Sequence, residues 1–145
     1  MEVTKFSFDE LNMLSRLLAN RAREYNFTHV IGIARGGLVP ATIISYVLDI
    51  PLVTCSVSSY DDTIKGELTI QDDLNISKFT KDSKVLIVDD ICDTGDTIDW
   101  ITNKLTTSNI KHETACIFTK KKHVEKLKFY GSVVSEDKWI VFPWE

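Results

Sequence analysis

The short apolar run Val85-Leu86-Ile87-Val88 constrains the fold of this chain more than any other part of its sequence. A short run made only of β-branched residues and Leu is typical of a strand that is buried on both faces. Two aspartates and a turn containing glycine follow it, and the apolar spacing then predicts a helix over residues 96–105. A buried strand that leads directly into a helix predicts a parallel sheet covered by helices.

Strands and helices also alternate along the rest of the chain. Ser7 and Glu10 form a predicted capping box at the start of an amphipathic helix over residues 8–25. The apolar pattern predicts a second helix over 38–48 and further strands over 29–34, 52–57, 67–70 and 114–119. A polar loop is predicted over 58–66 and an extended segment over 138–145. We therefore expect an α/β fold, a mainly parallel sheet flanked by helices, in a single domain over residues 1–145.

The composition argues against several classes of protein. The chain has 145 residues, of which 43% are hydrophobic and 26% charged, and this balance is typical of a globular domain. Its net charge of −4 argues against a nucleic-acid partner, because such proteins usually carry a basic face. We expect neither a membrane-spanning segment nor a signal peptide, since the sequence has the pattern of neither. The widely spaced Cys55, Cys92 and Cys116 indicate reduced thiols in a cytoplasmic protein, without disulfides or a zinc site.

A candidate anion site follows the apolar strand. In open α/β sheets, ligands bind beyond the carboxyl ends of strands, where the first amides of the next helix are free. The amides and threonine hydroxyls of residues 93–97 can form a cradle for a phosphate, and Gly95 lets the backbone approach closely. Asp89 and Asp90 can accept hydrogen bonds from ribose hydroxyls or hold Mg²⁺. The alternative is that the two acids only stabilise a turn.

Residues 85–97 resemble the phosphoribosyl diphosphate (PRPP) signature of the type I phosphoribosyltransferases. Other segments agree with this resemblance. Residues 34–41 resemble the pyrophosphate-binding loop of the family, and residues 57–61 resemble the start of its mobile catalytic loop. Residues 117–120 and 138–145 are similar to the base-binding hood of the short xanthine–guanine and hypoxanthine–guanine enzymes of bacteria and archaea. We therefore expect a hood over about residues 120–145.

The resemblance implies an enzyme of purine salvage. Such an enzyme uses Mg²⁺ and transfers phosphoribose from PRPP to a 6-oxopurine base (guanine, hypoxanthine or xanthine), releasing pyrophosphate and a nucleotide. The resemblance also implies a homo-oligomer, either a dimer or a tetramer. Two alternatives stay open: a phosphoribosyltransferase for another base, and a non-catalytic regulator of the same fold that senses PRPP or nucleotides.

The resemblance implies which residues hold PRPP. Arg35 and Gly36 hold the pyrophosphate, in a loop whose peptide can be cis without proline, and Lys65 can reach it from the mobile loop. Asp89 and Asp90 face the ribose hydroxyls, and Asp90 is the expected contact to Mg²⁺. The rest of the signature completes the PRPP site with Ile91, Cys92, Asp93, Thr94, Gly95, Asp96 and Thr97.

A second set of residues is expected at the purine. Asp93 is the expected catalytic residue, as a general base or as the acceptor of the proton on N7, and its alternative role is that of a helix N-cap. Lys120 is expected to donate to the 6-oxo group, with a solvated charge as the alternative. Trp139 is expected to stack on the base, with core packing as the alternative, and the backbone of Ile140 to bind its exocyclic edge.

Two positions depart from the family pattern. Lys121 stands where related enzymes often have proline. Gly66 stands where their mobile loop usually has arginine, and Lys65 lies beside it. A lysine can contact pyrophosphate as a point charge but lacks the bidentate geometry of arginine. The contacts of this loop are therefore the part of the expected site that differs most from the family.

Overall fold

A computed structural model describes residues 2–62 and 67–145, so the predicted contact Lys65 lies outside the described residues. The helices of the described ranges are α1 (Phe8–Ala22), α2 (Leu38–Leu48) and α3 (Asp96–Thr107). Their strands are β1 (Glu2–Lys5), β2 (His29–Ala34), β3 (Leu52–Asp62), β4 (Glu67–Asp72), β5 (Lys84–Cys92), β6 (Lys111–Lys120), β7 (Phe129–Val134) and β8 (Lys138–Val141). Short 3₁₀ turns occupy Arg23–Tyr25, Ile76–Lys78 and Lys121–Lys126.

A six-stranded sheet with the strand order β4-β3-β2-β5-β6-β7 forms the centre of the fold. Strands β3, β2, β5, β6 and β7 run parallel, and β4 pairs antiparallel with β3 at one edge. Helices connect β2 to β3 and β5 to β6, as parallel neighbours require a crossover. This architecture confirms the predicted α/β class.

Helices cover both faces of the sheet, and this explains the unbroken apolar run in β5. Leu86 and Val88 pack in one cluster with residues of α1 and α2, whereas Val85 and Ile87 pack in a second cluster with residues of α3. All four side chains are fully buried. Because successive side chains of a strand point to opposite faces, a strand with two covered faces needs apolar residues at every position.

The predicted end of β5 is wrong. The strand continues through both aspartates to Cys92 instead of ending at Val88. It continues because β6 keeps pairing with it, with Asp89 opposite Cys116 and Cys92 opposite Thr119. The two acids therefore have the fixed geometry of a strand and are not part of a loose turn.

The predicted polar loop over 58–66 is wrong for residues 58–62, and residues 63–66 lie outside the described residues. Strand β3 continues to Asp62 and pairs with β4, with Ser59 opposite Ile70. A hairpin at the edge of a sheet can have a face in water, so its strands form without an apolar run. The predicted strand over 67–70 is confirmed and extends to Asp72.

The predicted capping box is present at the start of α1. The Ser7 hydroxyl oxygen accepts from the Glu10 amide at 3.2 Å, and the Ser7 amide donates to Glu10 Oε1 at 3.2 Å. The α-helix ends at Ala22, earlier than predicted, because the chain tightens into a 3₁₀ turn and then adopts a left-handed conformation at Asn26 (φ 58°).

A separate two-stranded sheet pairs β1 with β8 in parallel, with Val3 opposite Trp139. The extended conformation predicted over 138–145 is confirmed over Lys138–Val141 and is wrong beyond it, where the chain turns and the Glu145 amide donates to the Phe142 carbonyl at 3.1 Å. Neither β1 nor β7 was predicted, because β1 is short and largely polar and β7 contains exposed residues and Gly131. The hood expected from the C-terminal strands thus has a partner strand from the opposite end of the chain.

All three cysteines are buried free thiols. Burial raises the pKa of the Cys55 thiol to about 12, and the charges of Asp73 and Asp72 add to this effect. A thiol with a raised pKa forms little thiolate and is therefore unreactive. No helix in the described part of the chain has the length and apolar content needed to span a membrane.

Candidate active site

The loops that follow β2 and β5 lie side by side at the carboxyl ends of the parallel strands. The two strands are neighbours in parallel register, with Gly32 opposite Val88, so their carboxyl ends lie side by side. After β2, the peptide between Ala34 and Arg35 is cis. Gly37 is the N-cap of α2, and its amide donates to the Ile33 carbonyl at 2.8 Å. After β5, a short turn leads into α3. This is the place in an open α/β sheet where ligands bind.

The loop after β2 is in direct contact with the last residues of β5 through glycine. A Cβ atom added to Gly36 would overlap the carboxylate of Asp90 and lie 2.8 Å from its Oδ1 atom. A Cβ atom added to Gly37 would lie 2.5 Å from the carbonyl oxygen of Val88. The structure thus brings the predicted pyrophosphate loop against the predicted ribose and metal acids. Arg35 in this loop is exposed, and its side chain has no partner among the described residues.

Asp89 and Asp90 form a partly buried acidic pair. The Asp90 amide donates to Asp89 Oδ1 at 2.9 Å, and the Ile91 amide donates to Asp90 Oδ1 at 2.7 Å. Burial raises the pKa of Asp89 well above its ordinary value, and the charge of Asp90 raises it further. Burial also raises the pKa of Asp90. Neither acid has an ion-pair partner among the described residues. The pair therefore fits a divalent cation, because the charge of the cation would offset the free-energy cost of placing two carboxylates in this partly buried position.

The raised pKa of Asp89 predicts that its charge destabilises the ligand-free fold. The folded protein binds the Asp89 proton more tightly than the unfolded chain does, so this contribution to the free energy of unfolding falls as the pH rises above about 4. Asp89→Asn removes the charge and keeps an oxygen for the Asp90 amide. We expect the variant to melt a few degrees above the wild type at pH 8, with a smaller gain at pH 5.

Thermal denaturation of the ligand-free protein at both pH values measures this difference. Asp82→Asn is the matched control, because Asp82 is exposed in the turn before β5, and it should leave the melting temperature unchanged. An Asp89→Asn variant that melts below the wild type at pH 8 would contradict the prediction.

The turn between β5 and α3 encloses a small cradle of about 180 Å³. Gly95 is the residue before the first turn of α3, has φ 83° and has no side chain that could cap the helix. The Thr94 hydroxyl oxygen accepts from the Asp96 amide at 3.3 Å, and the amides of Thr97 and Ile98 have no side-chain partner among the described residues. Free amides at a helix N-terminus bind anions. Most residues of the predicted signature line the cradle, namely Asp89, Ile91, Cys92, Asp93, Thr94, Gly95 and Thr97, together with Ile98. Asp96 does not line it and instead faces a groove between α3 and the β3–β4 hairpin.

Two side chains that the sequence analysis did not select pack behind this turn. A Cβ atom added to Gly95 would lie 3.2 Å from His123 Nδ1 and 3.0 Å from Lys126 Cε. Lys126 donates to both carboxylate oxygens of Asp99 at 2.8 Å, which joins the 3₁₀ turn after β6 to α3. Both ring nitrogens of His123 are buried without a hydrogen-bond partner in the described part of the chain. Only the three-dimensional packing brings these residues to the turn.

The β3–β4 hairpin is fixed to α3 beside the cradle. Asp72 at the end of β4 accepts from Lys104 Nζ at 2.5 Å and from Trp100 Nε1 at 2.8 Å. Burial acts to raise the pKa of Asp72, but the hydrogen bonds from Lys104 and Trp100 lower it below its ordinary value. This cluster places the hairpin, which carries the predicted catalytic loop, next to the start of α3.

Asp93 lies between two cavities. It lines the cradle and also a second cavity of about 280 Å³. Its carboxylate is exposed and has no hydrogen-bond partner among the described residues. The alternative role of Asp93 as a helix N-cap is wrong, because Gly95 occupies that position and the side chain that accepts from the first amide of α3 is that of Thr94.

The second cavity contains every residue predicted to contact a purine. Trp139 lines this cavity and is 54% exposed, whereas Ile140 is buried, so Trp139 is not a core residue. The complete lining is Asp90, Ile91, Asp93, Lys120, Glu136, Lys138, Trp139, Ile140, Phe142 and Glu145. Lys138, Phe142 and Glu145 lie in the end segment that resembles the family hood but were not predicted as base contacts, and Glu136 lies between the two segments, 117–120 and 138–145, that resemble it.

Lys120 lines the cavity, but its ammonium group is not free. It donates to the carbonyl oxygens of Ser135 at 2.8 Å, Lys138 at 3.1 Å and Glu136 at 3.4 Å. With 3% of its surface exposed, Lys120 is not the solvated charge of the alternative interpretation. The neighbouring Lys121, where related enzymes often have proline, is exposed at the start of a 3₁₀ turn.

Comparisons with known proteins agree with this geometry. A family model described as "Phosphoribosyl transferase domain" matches residues 9–145. The xanthine-guanine phosphoribosyltransferase of Idiomarina loihiensis is 36% identical over 147 residues, covering 96% of this chain and 84% of that protein. That of Desulfotalea psychrophila is also 36% identical, with the same coverage of 96% and 84%. A crystal structure of a purine phosphoribosyltransferase from Pyrococcus horikoshii superimposes with a TM-score of 0.87 at 34% identity, covering 100% of this chain and 95% of that chain.

Proposed function

The chain belongs to the phosphoribosyltransferase family, and from this premise we propose that it transfers phosphoribose from PRPP to a 6-oxopurine, with Mg²⁺, and releases pyrophosphate. The observation that carries the proposal is that the phosphate cradle and the larger cavity share Ile91 and Asp93. A ribose between them would have its 5′-phosphate in the cradle and its C1 atom facing the base. The names of the relatives at 36% identity support a 6-oxopurine as the acceptor.

Pyrophosphate is the leaving group of the proposed reaction. A base nitrogen forms a bond to C1 of the ribose while the bond from C1 to the pyrophosphate oxygen breaks, so negative charge grows on the leaving group. The Arg35 guanidinium is exposed and unpaired among the described residues, and it lies in the loop that contacts Asp90 through Gly36. Preorganised donors aimed at a developing charge lower the barrier. Arg35 and the amides of this loop are therefore the proposed pyrophosphate contacts.

The acidic pair supports the proposed use of Mg²⁺. Asp89 and Asp90 are carboxylates whose pKa values are raised by burial, and a divalent cation bound through Asp90 would compensate their charge. When bound, Mg²⁺ supplies positive charge to pyrophosphate and to the ribose oxygens. The oxygens of Asp89 and Asp90 that do not contact the ion can accept hydrogen bonds from the ribose hydroxyls.

The larger cavity supports the proposed base site. Trp139 offers a half-exposed ring for stacking, and the backbone of Ile140 lies beside it. Asp93 offers an unpaired carboxylate to the base and can accept the proton on N7 as the new bond forms. Hydrogen bonding and stacking together would orient the acceptor nitrogen toward C1.

The proposed location is the cytoplasm and the proposed assembly is a homo-oligomer. The buried free thiols support a reducing compartment. The dimer or tetramer rests on the family resemblance, and light scattering during size-exclusion chromatography measures it.

One assay tests the proposed function. The protein is incubated with PRPP, Mg²⁺ and each of guanine, hypoxanthine, xanthine and adenine, and nucleotide formation is measured. We expect turnover of at least one 6-oxopurine, little or no turnover of adenine, and loss of the rate when a chelator removes Mg²⁺. Restoring excess Mg²⁺ should restore the rate.

The other results of this assay identify the alternatives. A preference for adenine or a pyrimidine would indicate a transferase for another base. PRPP binding without turnover of any base would favour a non-catalytic sensor. A rate that chelation leaves unchanged would exclude the proposed role of the acidic pair.

A further inference from the structure

Two aspartates lie in the first turn of α3, beside the turn proposed to bind the 5′-phosphate. Asp96 is the first residue of the helix and Asp99 is the fourth. The Asp99 amide donates to the carbonyl of Gly95 at 2.9 Å, and Gly95 lines the cradle. Acids at this end of a helix interact favourably with its free amides, but their charge repels a bound phosphate. A site for an anion therefore needs to offset this charge.

Lys126 neutralises one of the two acids. Its Nζ atom donates to both carboxylate oxygens of Asp99 at 2.8 Å, and no other ion pair in the described part of the chain includes Asp99. The hydrogen bond to Asp99 raises the pKa of Lys126 above its ordinary value, so the lysine is charged at neutral pH. The side chains of Lys126 and Asp99 are 33% and 47% exposed, and an ion pair with this exposure adds little to the stability of a fold.

The stem of Lys126 packs against the back of the cradle. A Cβ atom added to Gly95 would lie 3.0 Å from Lys126 Cε and 3.2 Å from Lys126 Cδ. His123 Nδ1 lies 3.2 Å from the same position, and the described residues offer no hydrogen-bond partner to either ring nitrogen of His123. Lys126 does not line the cradle itself. Its charge is therefore held beside the proposed phosphate site by Asp99 alone.

We propose that Lys126 is a positioning residue for the 5′-phosphate, because it pairs with Asp99 and thereby keeps the charge of this acid from repelling the phosphate. Lys126 acts through Asp99 and does not touch the ligand. This inference rests on the proposed function, since it takes the cradle as the phosphate site. It follows that loss of Lys126 weakens the binding of ligands that carry the phosphate and spares ligands that lack it.

Binding of GMP and of guanosine measures the effect of Lys126 on the phosphate. The two ligands share their base and ribose and differ in the 5′-phosphate. Lys126→Met keeps most of the apolar stem that packs against Gly95 and removes the charge. We expect it to weaken the binding of GMP by about 3- to 30-fold and to leave that of guanosine unchanged, because an unpaired Asp99 repels the phosphate. Isothermal titration calorimetry measures both affinities.

A second substitution separates charge from packing. In Asp99→Asn the acid is neutral and the charge of Lys126 is released, so GMP should bind at least as tightly as to the wild type. In the double variant Lys126→Met, Asp99→Asn, the affinity for GMP should return to within about 2-fold of the wild-type value, because no acid is left to compensate. A bridge that only joined α3 to the 3₁₀ turn would be absent from the double variant too, and its affinity would stay as low as that of Lys126→Met.

Lys121→Met is the matched control. Lys121 lies in the same 3₁₀ turn, is exposed and makes no ion pair in the described ranges. Its loss changes the net charge of the protein by the same amount, and the affinity for GMP should not change. Lys126→Arg keeps the charge and two donors for Asp99, so it should bind GMP as the wild type does. Melting temperatures close to that of the wild type would exclude unfolding as the cause of weaker binding.

Three results would overturn the inference: unchanged binding of GMP to Lys126→Met, equal weakening of GMP and guanosine, and no recovery in the double variant. Failure of the proposed function is a separate result. A wild-type protein that binds ribose 5-phosphate but turns over no base would refute the transfer reaction, and the same variants compared with ribose 5-phosphate and ribose would still decide the role of Lys126. A wild-type protein that binds neither GMP nor ribose 5-phosphate would overturn both.

Discussion

Replacing Asp93 by alanine should lower kcat by about 10²- to 10⁴-fold, the usual contribution of a general acid or base. Asp93 lines both the phosphate cradle and the larger cavity, and its carboxylate has no partner among the described residues. An unpaired acid between the two cavities can accept a proton from the base. The KM for PRPP should change only a few-fold, because the amides at the start of α3 are the proposed phosphate contacts and the substitution leaves them in place. Steady-state kinetics at saturating PRPP measure both constants.

Asp93→Asn separates proton transfer from positioning. Asparagine keeps the shape of the side chain and one acceptor oxygen but cannot take up the proton at neutral pH. We expect it to lose about as much kcat as Asp93→Ala, with a melting temperature close to that of the wild type because Asp93 does not cap α3. If Asp93→Asn retained the wild-type rate while Asp93→Ala lost it, the role would be that of a hydrogen-bond acceptor. Wild-type turnover of both variants would remove Asp93 from the mechanism.

The contact between Gly36 and Asp90 leads to a second large expected effect. In Gly36→Ala, the new methyl group would overlap the Asp90 carboxylate, so either the pyrophosphate loop or the acidic pair must move. A misplacement of about 1 Å in an active site can cost about 10²-fold in rate. We therefore expect kcat/KM for PRPP to fall by about 100-fold or more at a temperature where the variant is still folded.

Gly131→Ala is the matched control for this variant. Gly131 lies in β7, outside both cavities. A Cβ atom added to it would lie 2.7 Å from the carbonyl oxygen of Ile117. It should lower the melting temperature with kcat/KM unchanged at a temperature where the protein is folded. If Gly36→Ala and Gly131→Ala had the same effects on the melting temperature and on kcat/KM, the contact between Gly36 and Asp90 would contribute to folding and not to catalysis.

The elements with clear local signals could be predicted from the sequence. The strand over 29–34 and the helix over 38–48 have the predicted ends, because the strand is a short apolar run and a glycine-containing turn separates it from the helix. The capping box at Ser7 and Glu10 was also predicted, since both of its hydrogen bonds join residues that are close in sequence. In these segments local chemistry decides the structure.

Features that depend on a distant partner could not be predicted. Strand β5 continues past its apolar run because β6 pairs with it, and β3 continues because β4 does. The acceptors of Lys120 lie in residues 135–138, so its sequence context gave no indication of them. The cap position of α3 depends on the left-handed conformation of Gly95, which excludes Asp93 from that role. The predicted site residues other than Lys65 are described, and three of them, Arg35, Gly36 and Asp96, line neither the cradle nor the larger cavity.

The pairing of β8 with β1 has a consequence for how a protein of this kind can change its substrate over generations. The residues proposed to hold PRPP lie at the end of β5 and in the turns after β2 and β5 of the six-stranded sheet, whereas Trp139 and Ile140 belong to the two-stranded sheet. Mutations in β1, in the turn over 135–138 or in β8 can therefore reshape one wall of the proposed base site while the end of β5 and the turns after β2 and β5 stay intact. Selection can retune the choice of acceptor and leave the phosphoribosyl chemistry inherited unchanged.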